Sequence, residues 1–180
     1  MLRLALLGAA GALVYIGAAS AHVELENRQA PVGSGYKAVM RVSHGCGGSA
    51  TTTIRVRIPE GVLNVKPMPK AGWKLDVKNG KFAKTFSARG AKISEGVTEI
   101  SWSGGNLPSA FYDEFIFTGV ISEDLQPDQS IYFPVVQECE KGVHRWIEIP
   151  TNQGAQSGQS QGAHSDDSSP APGLRLQPRR

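Results

Sequence analysis

Ile54-Arg55-Val56-Arg57-Ile58 places three β-branched apolar residues on one side of an extended chain and two arginines on the other. Side chains of a strand alternate between faces, so this run reads as a strand with one face in a core and one in water. The same period recurs on both sides of it. Tyr36, Ala38, Met40 and Val42 share a face, and Trp73, Leu75 and Val77 alternate with Lys74, Asp76 and Lys78. Asn79-Gly80 supplies the residue types of a type I′ turn, which needs positive φ at both central positions, so residues 81–87 are read as the returning strand of a hairpin. Further strands are expected over 97–102, 111–121, 130–137 and 143–149. Turn clusters at Pro67-Met68-Pro69, Gly104-Gly105-Asn106 and Gln126-Pro127-Asp128 separate them. Pro134 marks an edge strand or a bulge, because proline cannot donate to a central ladder. No window carries a helical period over ten residues. The expected fold class is all-β, an antiparallel β-sandwich.

The chain has 180 residues, a length that suits one domain and leaves no room for separate cofactor and substrate domains. Of its net charge of +3, the two ends supply +2. Residues 22–150 hold fifteen Lys and Arg against fourteen Asp and Glu, so the expected folded part is nearly neutral. It has no basic stripe of the kind a nucleic-acid backbone selects. At the amino terminus, Arg3, the apolar run from Leu4 to Ile16 and then Ala19-Ser20-Ala21 follow the order of a secretory signal peptide. The apolar run would span only ~20 Å as a helix, short of a ~30 Å hydrocarbon core. Residues 1–21 are therefore read as a signal peptide cleaved after Ala21, and the mature protein as periplasmic or secreted with no membrane span. Residues 151–180 are rich in Gly, Gln, Ser and Pro, with Leu174 and Leu176 as the only larger apolar side chains, and are expected to form a disordered tail.

Export bears on the cysteines. Cys46 and Cys139, the two in the chain, pair most simply as a disulfide in an oxidising compartment. The competing reading is a thiolate metal site built from His44-Gly45-Cys46 with Cys139. There is no GxSxG, HExxH, phosphate loop or CxxC, so no enzyme motif stands out.

Cleavage after Ala21 would make His22 the amino terminus. Such a residue offers an amine and the ring Nδ1 to one metal as a six-membered chelate. Nitrogen donors of this kind suit Cu(II), and both groups titrate near neutrality, so few protons need be displaced. The blander alternative is a surface histidine left by chance at a cleavage site.

Ala21-His22-Val23-Glu24-Leu25, Pro69-Lys70-Ala71-Gly72-Trp73, Asp113-Glu114-Phe115 and Arg145-Trp146-Ile147 together resemble, in that order, the YcnI-like (DUF1775) family of exported copper-binding proteins. The resemblance covers residues 22–150 and implies an Ig-like or cupredoxin-like sandwich. It also implies a monohistidine brace for Cu(II), in which His22 supplies both nitrogens, Glu114 an oxygen, and Trp146 packs close to the metal. It implies copper sequestration or delivery, with a copper chaperone or an envelope copper transporter as partner and no enzymatic activity. Period two puts Glu114 with Tyr112 and Ile116 on a mostly apolar face, where an unpaired carboxylate is costly. The same period puts Trp146 with His144 and Glu148 on the more polar face of its strand, opposite Val143, Ile147 and Ile149. His144 is a second nitrogen that the single-histidine pattern does not use. Two rival classes remain: a copper-dependent oxidative enzyme, for which His44 or His144 would have to complete a three-nitrogen site, and a structural or adhesion sandwich without metal.

Overall fold

The computed structural model describes residues 23–150 and 168–179; the expected signal peptide and residues 151–167 lie outside the described residues. No helix occurs among the described residues. The strands are β1 (Glu24–Leu25), β2 (Gln29–Pro31), β3 (Gly35–Val42), β4 (Thr51–Arg57), β5 (Val62–Pro67), β6 (Lys74–Ala88), β7 (Ala91–Leu107), β8 (Asp113–Ile121), β9 (Ser130–Tyr132), β10 (Val135–Cys139), β11 (Val143–Glu148), β12 (Ser168–Pro170) and β13 (Gly173–Gln177). A four-stranded sheet in the order β1-β3-β8-β5 faces a six-stranded sheet in the order β12-β11-β10-β4-β7-β6, and β2-β13-β9 form a third, smaller sheet. Pairing is antiparallel except for β11 with β12 and β13 with β2.

The alternation of Ile54 and Val56 against Arg55 and Arg57 has the expected consequence. Both apolar side chains of β4 are fully buried, and Arg55 reaches Glu138 at 2.9 Å on the outer face. Opposite them, Ala38 and Met40 of β3 and Phe115 and Phe117 of β8 turn inward. Trp73 and Trp102 meet Phe115 edge-on, with ring centroids 4.9 and 5.5 Å away. Each fully buried side chain of this size contributes roughly 1.5–3 kcal/mol of transfer free energy. The Trp102 indole N–H keeps a partner by donating to the Met68 carbonyl at 3.0 Å.

Several local expectations yield to packing. Asn79-Gly80 is not a turn: β6 runs through it with a register shift, and the hairpin closes at Arg89-Gly90, with φ of 50° and 80°. The longer hairpin lets Phe86 and Ala88 bury against Leu63 and Val120 in a second apolar cluster, which outweighs the local preference of Asn-Gly. Gly104-Gly105-Asn106 is likewise inside a strand, β7, and not a turn. Gly105 is required there because a Cβ would stand 2.1 Å from the Trp73 ring. The run 130–137 divides at Phe133-Pro134 into β9 and β10, which belong to different sheets.

The carboxy-terminal segment is the main correction. Residues 168–177, expected to lie in a disordered tail, supply β12 and β13, and Leu174 and Leu176 are 0% and 1% exposed. The average composition of residues 151–180 hides a short period-two pair. The backbone of β13 finds partners on both sides, β2 and β9, so two leucines suffice to hold it once a core is there to receive them. The domain therefore extends well past residue 150. Leu174→Ala should destabilise the protein by about 2–5 kcal/mol, as cavity-forming core truncations do. Urea unfolding checks this; a change within about 0.5 kcal/mol, the usual surface response, would mean the segment does not pack.

Candidate metal centre

Val23, the first described residue, is 3% exposed, and Leu25 is equally buried. Between them Glu24 faces outward and pairs with Arg28 at 2.8 Å. β1 lies at the edge of the four-stranded sheet, with Glu24 opposite Arg41 and Leu25 opposite Met40 of β3. The Glu26 N–H extends this pairing by donating to the Val39 carbonyl at 3.0 Å. A shallow cleft of about 290 Å³ separates β1 from the 170–173 turn joining β12 to β13. His22 itself lies outside the described residues.

Glu114 is the second residue of β8 and stands opposite Arg41, so Glu24, Arg41 and Glu114 form one row across three strands. At ~4.8 Å per strand the row spans roughly 10 Å. Lys70 fixes the local backbone. Its ammonium binds the Asp113 carboxylate at 2.6 Å and the Glu114 carbonyl at 3.1 Å while lying 5.2 Å above the Phe115 ring. The Asp113 carboxylate also accepts the Glu114 N–H at 2.8 Å. Among the described residues, no hydrogen bond or ion pair engages the Glu114 carboxylate. The apolar face expected around it is corrected: Tyr112 is exposed, Ile116 and Glu114 are half-buried, and it is Phe115 and Phe117 that face the core. Asp113-Glu114-Phe115-Ile116-Phe117 carries apolar residues at both parities, so period two alone did not say which side was inward. With Glu114 on the outer face, burial cost no longer argues for a metal there.

Trp146 is also placed differently from the expectation. It is 4% exposed and part of the main core, whereas Ile147 and Ile149 are 40% and 54% exposed on the outer face. Arg145 shares the face of Val143 and Ile147, so both faces of β11 carry a charge, and the larger gain comes from burying the indole provided its N–H keeps a partner. That partner is Gln137 Oε1 at 3.3 Å. Gln137, 1% exposed on β10, donates through Nε2 to the His44 carbonyl at 2.7 Å and to Thr51 Oγ1 at 2.8 Å. The His144 ring lies 5.6 Å from Trp146. The Cys46–Cys139 disulfide, 2.05 Å between sulfurs, ties the loop that carries His44 to the end of β10. The thiolate alternative for these cysteines is thereby replaced.

The structure thus brings Trp146, His144, Gln137 and the His44 loop together, on the core side of the six-stranded sheet. It sets Glu114 apart from them, on the outer side of the four-stranded one. Among the described residues, no group of three or more His, Cys, Asp or Glu side chains could hold a metal ion. Gln137 is the residue that the sequence reading missed. Its signal was present: period two puts it beside Val135 on the core face, and a lone amide there must be satisfied internally. Gln137→Leu keeps the volume but removes three hydrogen bonds, so it should cost roughly 2–4 kcal/mol. Chemical denaturation measures the loss, and a Trp146 emission change is expected with it; unchanged stability would remove Gln137 from its organising role.

Comparison with known proteins agrees with this architecture. The crystal structure of an uncharacterized protein from Nocardia farcinica, described as revealing an immunoglobulin-like fold, superposes with a TM-score of 0.56 at 20% identity, covering 87% of this chain and 98% of that one. At that identity the likeness concerns the fold. No curated protein matches the chain. The model of the family described as "Domain of unknown function (DUF1775)" matches residues 22–176, which takes in β12 and all but the last residue of β13. The chain belongs to the DUF1775 family.

Proposed function

We propose that this protein is an exported Cu(II)-binding protein whose metal is held by His22 at the processed amino terminus. The observation that carries the reading is the burial of Val23 and Leu25 on edge strand β1. Adjacent Cα atoms are ~3.8 Å apart, so the amine and ring of His22 are tethered to an anchored strand. A pre-positioned chelate loses less freedom on binding than one on a mobile tail.

The inventory of donors supports Cu(II) over Cu(I). Both cysteine sulfurs are in the disulfide, Met40 is fully buried in the core and Met68 is exposed elsewhere, so no thioether or thiolate cluster exists among the described residues. Nitrogen and oxygen donors suit the harder ion. Glu114 carries a carboxylate without another engagement among the described residues, on the same sheet as β1, and serves as the oxygen donor in this reading. In this reading Trp146 is not a ligand, since its indole N–H donates to Gln137. The role is copper sequestration or transfer to a copper-carrying partner of the cell envelope, without catalysis. The disulfide supports an oxidising compartment. No helix among the described residues is long and apolar enough to cross a membrane.

The test is to compare processed protein starting at His22 with the same protein carrying one extra glycine before it. The addition converts the amine to an amide, whose lone pair is delocalised, while the ring and Glu114 survive. Titration calorimetry should show Cu(II) affinity falling by about two orders of magnitude or more. Equal affinity in the two proteins overturns the reading. Glu114→Gln, with volume preserved, should weaken Cu(II) binding by about tenfold without changing stability; wild-type affinity in that variant would exclude Glu114 as the oxygen donor.

A further inference from the structure

The β6–β7 hairpin overruns its own sheet and lays its tip against the outer face of the other. Besides the apolar contact of Phe86 and Ala88 with Leu63 and Val120, Ser87 pins it. The Ser87 carbonyl accepts the Ser122 hydroxyl at 2.9 Å and the Glu123 N–H at 3.1 Å, and its own N–H donates to Asp124 at 2.6 Å. Hydrogen bonding from Ser87, through its side chain foremost and then its backbone N–H, holds the Asp124 carboxyl below the usual carboxylate range. The tip is therefore a fixed feature, and between it and the sheet lies a groove of about 790 Å³.

Three cations line that groove, Lys37 of β3, Lys66 of β5 and Arg89 at the hairpin tip, and no acidic residue does. Lys37 and Lys66 both stand opposite Thr118 of β8, one on each side, so Lys37-Thr118-Lys66 is an outward row across three strands. The place of Lys66 in that row depends on a bulge. The register of β5 shifts between Leu63 and Lys66, where Asn64 adopts a φ of 52°. Continued without the shift, the pairing of Val62 with Ile121 would set Val65 opposite Thr118. The extra residue instead leaves Val65 buried in the core and brings Lys66 to the groove. Arg89 completes the enclosure, its Nη2 lying 3.7 Å from where a Cβ on Gly35 would be.

None of the three cations has an ion-pair or hydrogen-bond partner among the described residues, whereas Arg28, Arg55, Lys70, Lys78, Arg175 and Arg179 all face carboxylates. In a domain of nearly balanced charge, three unpaired cations around one recess focus a positive potential. We propose that this groove is a docking site for an extended acidic segment of a partner polypeptide. Two strand spacings separate Lys37 from Lys66, roughly 10 Å between Cα atoms. Carboxylates at alternate positions of an extended peptide repeat every ~6.6–6.8 Å, a spacing that distributes charge along such a row and under Arg89. A nucleic acid is disfavoured because the one aromatic residue of the lining, Tyr36, is buried with its hydroxyl bound to the Asn27 carbonyl, leaving no stacking platform. A membrane surface is disfavoured because the exposed large apolar residues, Met68, Phe111, Tyr112, Ile147 and Ile149, all lie outside the groove. This inference does not depend on copper.

Fluorescence anisotropy of a labelled peptide of about ten residues alternating Glu and Ser, titrated with the full processed protein, tests it. The acidic peptide should bind, a Lys–Ser peptide should not, and the complex should weaken several-fold as salt rises from about 0.05 to about 0.2 M. The combined K37Q/K66Q/R89Q protein should lose at least about tenfold in affinity, while K81Q/K141Q, the same kind of change outside the groove, should not. All five positions are at the surface, and an unchanged melting temperature confirms that the variants are folded. Equal loss in both variants, or no preference for the acidic peptide, overturns the proposal. So does its displacement by inorganic phosphate at an equal concentration, or tighter binding to vesicles containing phosphatidylserine.

Discussion

Phe115 sits where the two large sheets meet, with the edges of Trp73 and Trp102 against its ring and the Lys70 ammonium above it. Much else is placed by that contact. Trp73 can lie so close only because Gly105 has no side chain, and Trp102 can be buried because its N–H reaches the Met68 carbonyl. Lys70 can stay in this half-buried position because Asp113 neutralises it, and the same ammonium holds the Glu114 carbonyl. With Phe115 inward, strand alternation forces Glu114 outward. The orientation of the carboxylate proposed to meet copper is thus a consequence of aromatic packing one residue away.

A second organising centre is polar. Gln137 has its amide engaged by Trp146, His44 and Thr51, and the disulfide fastens the His44 loop to the same strand. A buried amide with every bond made confines its neighbours to one arrangement, because any shift leaves a donor or acceptor unmatched in a medium where that is costly. This centre is close in the sheet to β12, which pairs with β11 beside Trp146. The carboxy-terminal strands, the strand after His22 and the indole therefore share one margin of the sandwich, where a cleft separates β1 from the 170–173 turn.

The outer face of the four-stranded sheet carries two features of opposite character. At one end is the row of Glu24, Arg41 and Glu114, and further along β8 is the row of Lys37, Thr118 and Lys66 under Arg89. Glu114 and Thr118 are four steps apart along β8, about 13 Å at the rise of a strand. A carrier that must release an ion to another protein gains from a docking surface near the ion but not on it. The two proposals are compatible in that geometry and remain separately testable.

Taken alone, the amino-acid sequence determined that the chain is all-β and which residues of β4 and β3 share the buried face, and it favoured a disulfide over a thiolate metal site for the two cysteines. Alternation over Ile54-Arg55-Val56 and a count of two cysteines are local or compositional signals that need no knowledge of neighbours. It also singled out His22, which lies outside the described residues, through the order of charge, apolar run and small residues before it. Only the tertiary structure decided the inward faces of β8 and β11, where apolar and charged residues occur at both parities and the choice rests on what the opposing sheet presents. Tertiary packing likewise decided that Asn79-Gly80 continues a strand while Arg89-Gly90 turns, since burying Phe86 and Ala88 against Leu63 and Val120 outweighs a turn preference. Leu174 and Leu176 became core only because β2 and β9 leave β13 a place between them. The groove cations gather from three segments far apart in the chain, and a one-residue bulge at Asn64 sets their row. Period and composition describe what a segment can do by itself; which face, edge or partner it takes depends on surfaces that exist only once the rest has folded.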